Sequence, residues 1–172
     1  MKIEIKNYKS CRADEGDAYS CTMYLDGKKA ALVRYGGTGG PLDFDFSVAA
    51  GKDNKSWGGP MYDKFKGYVD GLPMEQTEIP DEDDPTGFWK MKPCMDTVVD
   101  GAINKMLEAR ELKRWCKTNV VYRFKGDPKG SYFQWKLKWT PQLAPVIRGK
   151  LETQGARQGK ELEVIVNERF AA

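Results

Sequence analysis

Asp43 and Asp45 flank Phe44, so on an extended strand their carboxylates share one face. Two carboxylates so placed can hold a divalent cation for phosphoester chemistry, with Glu75 and Glu78 as further candidate acids. The competing reading is a polar strand face whose Leu42, Phe44 and Phe46 point inward, and no third ligand is evident. A second acidic group, Asp81-Glu-Asp-Asp84, lacks the glycine and ligand spacing of a calcium loop and reads as solvated. The chain has no histidine. Ser-His-Asp and Cys-His nucleophiles are therefore excluded, as are zinc sites that need imidazole. Cys11, Cys21, Cys94 and Cys116 include no C-x-x-C pair, which argues against a zinc ribbon or a thioredoxin-like centre. A Cys11–Cys21 bridge would close a short loop, but free, mostly buried thiols in a reducing cytoplasm are the expectation. No catalytic residue, metal or cofactor is assigned.

Gly36-Gly-Thr-Gly-Gly40 invites a phosphate-cradle reading. Such a loop needs a Lys-Ser/Thr ending or a glycine pattern that opens a helix, and neither follows. A bulge, or a place where the backbone passes close to another element, is the alternative.

The densest recognition chemistry lies in residues 119–141, where aromatic and basic residues alternate around Gly126-Asp-Pro-Lys-Gly130. The alternation predicts a hairpin with strands Val120–Lys125 and Tyr132–Trp139. Phe133, Trp135, Leu137 and Trp139 share one face and would join the core. Arg123, Lys125, Lys136 and Lys138, with Tyr132 and Gln134, would form the outer face. Arg110, Arg114 and Lys117 at the end of the preceding helix would extend it. That face is a candidate for phosphate contacts, with Tyr132 as a base-stacking ring. The reading preferred over that one is a solvated sheet face whose lysines block aggregation.

These segments need elements to hold them. Residues 2–6 alternate with period two and read as a strand. Residues 19–35 read as a hairpin turning on Asp26-Gly27, with Tyr19, Cys21, Met23 and Leu25 on one face. A short helix is predicted over 61–70, and an acidic, proline-rich loop over 71–93. Trp57, Phe88 and Trp89 fall in loop-like segments and are candidate protein-contact residues. The strongest periodicity predicts a helix over Met95–Lys117, with Asp96 at its start and four cations near its end. A short helix over 146–154 and a strand over 161–167 close the chain. The fold class is α+β: antiparallel hairpins or one sheet packed against one long helix, with a short C-terminal helix and strand.

At 172 residues the chain reads as a single domain, and 40% apolar with 12% aromatic residues is ample for a core. Residues 1–100 carry 13 Lys+Arg and 18 Asp+Glu, while residues 101–172 carry 15 and 7. An acidic partner would therefore meet the C-terminal part. The start Met-Lys-Ile-Glu-Ile-Lys is no apolar signal, and no run reaches membrane-spanning length, so a cytoplasmic location without membrane partners is expected.

Tyr24-Leu-Asp-Gly-Lys-Lys-Ala30, followed by the Gly36–Gly40 run, resembles the N-terminal hairpin of small accessory proteins of phages and mobile elements. The resemblance covers that hairpin and otherwise only the order of elements, and the run here lacks the histidine and cysteine of that type. It implies a virus-type accessory setting, and it carries over no catalytic residue. The function expected is non-enzymatic binding and inhibition of a host or defence protein. Binding of RNA or DNA by the basic face is the alternative. A metal-dependent phosphoesterase built on Asp43 and Asp45 is the third reading.

Overall fold

A computed structural model describes residues 1–13, 16–80, 87–128 and 130–170, the side chains of 78–80 excepted. Helices and strands are both present, and the strand pairings described are antiparallel, as an α+β fold requires. Where the sequence reads as one domain, residue contacts group the chain into two compact units, Met1–Asn104 and Lys105–Ala172. Among the described residues no helix is long and apolar enough to cross a membrane.

The first unit is built on a sheet of four strands in chain order: β1 (Ile3–Ala13), β2 (Gly16–Leu25), β3 (Lys28–Tyr35) and β4 (Asp43–Asp45). Asp26 (φ 49°) and Gly27 (φ 79°) make the left-handed turn between β2 and β3, as Asp-Gly predicts. Cys21 lies opposite Val33, and Val33 opposite Phe44. One sheet face thus collects Cys21, Met23, Leu25, Val33 and Phe44, all buried. Helix α1 (Pro60–Asp70) covers it with Met61, Phe65 and Val69, one per helical turn. The Phe65 ring centroid lies 6.4 Å from that of Phe44 and 6.5 Å from that of Phe46. Full burial of one such ring contributes about 3 kcal/mol.

Strand β1 runs well past the predicted 2–6. Asn7 (φ 54°) sits in a register shift between Lys6 and Lys9, and this bulge breaks the period-two pattern that marks a strand in sequence. The predicted loop over 71–93 instead contains a hairpin of β5 (Glu75–Pro80) and β6 (Phe88–Met91). Prolines disguise it: Pro80 ends β5, a place where a missing N–H is tolerated. The acidic cluster 81–84 lies outside the described residues.

Helix α2 (Met95–Trp115) begins in the first unit, with Val99 and Ile103 buried, and ends in the second, with Leu112 buried. The second unit adds a sheet in the order β8 (Phe133–Trp135), β7 (Val120–Phe124), β9 (Leu162–Ile165), and helix α3 (Ala144–Arg157). Val120, Tyr122 and Phe124 pack with Ile147 and Leu151 of α3 and with Ile165. Gly155 lets α3 sit this close: a Cβ there would fall 2.8 Å from Phe124 Cε1 and 2.6 Å from the Lys160 carbonyl oxygen. On the opposite face Val121 packs with Leu112 and Val166.

Two predicted strands are shorter in the structure. β8 stops at Trp135 because the Leu137 N–H bonds back to the Trp135 carbonyl at 2.7 Å, turning the chain out of the sheet. The last strand stops at Ile165, and residues 166–170 form a 3₁₀ turn that buries Asn167. The Asn167 Oδ1 accepts from the Val121 N–H at 2.7 Å. Its Nδ2 donates to the carbonyls of Asn119 at 2.8 Å and Cys116 at 3.2 Å.

Candidate functional site

The basic face predicted for the 119–141 hairpin does not form. β7 is the central strand of its sheet and has packed layers on both sides, so the face carrying Val121 and Arg123 points inward. Arg123 Nε lies 2.9 Å from Glu163 Oε2 on a side chain only 17% exposed. The contact is an ion pair without hydrogen-bond alignment. Lys125 pairs with Glu161 at 2.7 Å and Arg114 with Glu111 at 3.0 Å. Tyr132 is half-buried against the Val121 cluster, and its hydroxyl donates to Glu108 at 3.1 Å. Burial, and then that bond, raise its pKa. Arg110 leans on Met106, while Lys117 sits exposed beyond α2. Lys136 and Lys138 are exposed beyond the end of β8. Of the eight predicted residues, Arg114, Arg123 and Lys125 are thus neutralised by carboxylates.

The predicted aromatic core face also departs from expectation. Trp135, Leu137 and Trp139 are half-buried against the α3 side. Phe133 is 43% exposed on the edge strand, stacked on Tyr122 at 5.6 Å between centroids.

Of the predicted loop aromatics, Trp57 is 61% exposed in the loop before α1. Phe88 and Trp89 lie in β6, not in a loop, and remain exposed. Met91 opposes Glu75, and Trp89 shares its face by alternation. Trp89 is 51% and Met91 54% exposed, with Met74 also exposed just before β5. A two-stranded hairpin has no core of its own, so three large exposed apolar side chains on it, with Met74 beside it, are an unusual concentration.

Asp43 and Asp45 do share a strand face, as predicted, opposite the buried Phe44. Both are occupied by local structure. Asp43 lies 3.5 Å from Arg34, and Asp45 accepts from the Ser47 N–H at 3.0 Å and the Ser47 hydroxyl at 2.6 Å. The Ser47 bonds hold the Asp45 carboxyl below the usual range. Among the described residues no set of three His, Cys, Asp or Glu side chains is placed to hold a metal ion. The thiols are free: Cys11 and Cys94 exposed, Cys116 half-buried, Cys21 buried. Cys11 pairs with Ala18 and so faces away from Cys21.

The glycine-rich run has a packing role. Gly37 (φ 72°) passes so close to β1 and β2 that a Cβ would lie 2.7 Å from that of Ala13 and 3.0 Å from the Ala18 nitrogen. Its exit rims a cavity of about 310 Å³ lined by Tyr19, Tyr35, Gly40, Leu42, Asp96 and Asp100. The Tyr19 hydroxyl donates to Asp100 at 2.7 Å, and the Leu42 N–H to Asp96 at 3.0 Å. Burial and the Asp100 bond push the Tyr19 phenol far up.

No family model matches the chain, and neither a curated protein nor a solved structure matches it. The surfaces themselves carry the functional reading. The sequence signal for the β5–β6 arm was there in Phe88, Trp89 and Met91, but the prolines masked the strands that present them.

Proposed function

We propose that the chain is a non-enzymatic binding protein that docks a partner protein through the β5–β6 arm. One observation carries the reading: Trp89 and Met91, on one face of a two-stranded hairpin, are both more than half exposed. Exposed aromatic and methionine side chains grouped on one element are typical interface anchors. The first unit has 13 Lys+Arg and 18 Asp+Glu, and four of those acids, 81–84, lie in the sequence between the two strands. The complementary partner surface is therefore apolar at its centre and basic at its rim.

With the resemblance of the first hairpin to phage and mobile-element accessory proteins, the proposal extends to a host or defence protein as the target and inhibition as the outcome. The setting would be the cytoplasm of the host. Affinity capture from host lysate tests it, using the intact chain beside a Trp89→Ser/Met91→Ser variant of unchanged thermal stability. The proposal expects a stoichiometric partner with the former and its loss with the latter. Equal recovery by both would remove the arm from the interface.

A further inference from the structure

A groove of about 390 Å³ opens between β7, β8 and α3 in the second unit, lined by Tyr122, Gln134, Trp135, Lys150 and Gln154. Its size lies within the range of small-ligand sites. Tyr122 is 94% buried by its neighbours (6% exposed), yet its hydroxyl makes no hydrogen bond to the described residues. That hydroxyl is not shut away from solvent, so it is open to pair with a polar group that enters the groove. The Trp135 ring forms a wall, with the Lys150 ammonium 5.9 Å from its centroid. The Gln154 amide makes no hydrogen bond to the described residues either, whereas the Gln134 side chain is taken by Asn119 at 3.1 Å.

The groove continues along α3 into a second depression of about 420 Å³ that shares Lys150 and Gln154 and reaches Gly149, Thr153 and Arg157. Residues 105–172 carry 15 Lys+Arg against 7 Asp+Glu. Carboxylates of this unit neutralise Arg114, Arg123, Lys125, Arg148 and Lys160. Lys136, Lys138, Lys150 and Arg157 have no ion-pair partner among the described residues. Glu152 is the one carboxylate of α3.

A flat ring against Trp135, a polar edge for Tyr122 and Gln154, and an anion for Lys150 and Arg157 together describe one nucleotide of a chain. We infer that this groove binds single-stranded nucleic acid, one base entering beside Trp135 and the phosphates following α3 past Lys150 and Arg157. Single strands are favoured because only an unpaired base presents its face and edge together. An acidic peptide would satisfy the cations but leave the ring wall and the phenol without a use. The inference is independent of the docking arm, since each of its residues lies in the second unit.

Fluorescence anisotropy of labelled oligouridylate and oligothymidylate with the full chain, at low and physiological salt, tests it. Saturable binding is expected, and a preference between the two oligomers separates RNA from DNA. Tyr122→Phe, which removes only the hydroxyl, should weaken binding about threefold. Lys150→Gln/Arg157→Gln should weaken it at least about tenfold and lower the logarithmic salt slope by about two. Lys113→Gln/Lys117→Gln, an equal charge change elsewhere, should do much less. Three results would overturn the inference: no binding at low salt, equal losses from the two lysine-containing pairs, or oligoglutamate competing as well as the oligonucleotides.

Discussion

The guanidinium of Arg123 lies 2.9 Å from the Glu163 carboxylate, beneath a layer that leaves it 17% exposed. A residue that alternation assigns to an outer, ligand-facing surface is instead an internal cation with its own counter-charge. This ion pair takes Arg123 out of the basic face predicted for the 119–141 hairpin.

Removing the counter-charge should therefore matter more than its partial exposure suggests. Glu163→Gln leaves Arg123 charged and poorly solvated, and should destabilise the chain by about 1–2 kcal/mol in urea unfolding. Glu161→Gln, whose pair with Lys125 is well exposed on both sides, should cost less than about 0.5 kcal/mol.

Asn167 links β7 to the turn after α2 through three hydrogen bonds. Asn167→Ala strands the Val121 N–H in a buried site and frees two carbonyls. The expected loss is about 2–3 kcal/mol, read as a fall in the urea midpoint at unchanged slope.

Gly155→Ala tests the approach of α3 to Phe124. In an exposed helix the change would stabilise by roughly 0.5–1 kcal/mol. Here the added Cβ meets the Phe124 ring and the Lys160 carbonyl, so destabilisation by about 1–3 kcal/mol is expected.

The thiols make a pH-dependent prediction. Burial first, and then the charge of Asp100, push the Cys21 thiol up to about 11. Its folded pKa thus lies above the ordinary thiol value of about 8.5. The folded state then holds the proton more tightly than the unfolded one, so the stability from the neutral thiol is complete below about pH 8.5 and declines as pH rises toward 11. Cys21→Ala should flatten this alkaline limb. In neutral buffer a thiol reagent should modify Cys11 and Cys94 quickly, Cys116 slowly, and Cys21 only on unfolding.

Much of the fold was legible where one period dominates a segment. α1 and α2 follow Met61, Phe65 and Val69, and then Val99, Ile103 and Leu112. The β2–β3 hairpin follows Asp26-Gly27 and the alternation from Cys21 to Leu25. Legibility failed where tertiary context overrode the local pattern. The Asn7 bulge hid the second half of β1, and prolines hid β5 and β6. In β7 the run Val120-Val121-Tyr122 signals a strand covered on both faces, whereas the alternation of Arg123 and Lys125 signals an open one. The groove beside Trp135 was beyond sequence reasoning, because Lys150 and Gln154 reach it only through the packing of α3 on β7.

The docking arm is tested most directly by a photo-crosslinking amino acid at position 89, compared with the same group at position 113, in cells of the host. The account predicts a discrete crosslinked species of higher mass from position 89 and none from position 113. Crosslinking from 113 with none from 89, or from neither, would contradict it.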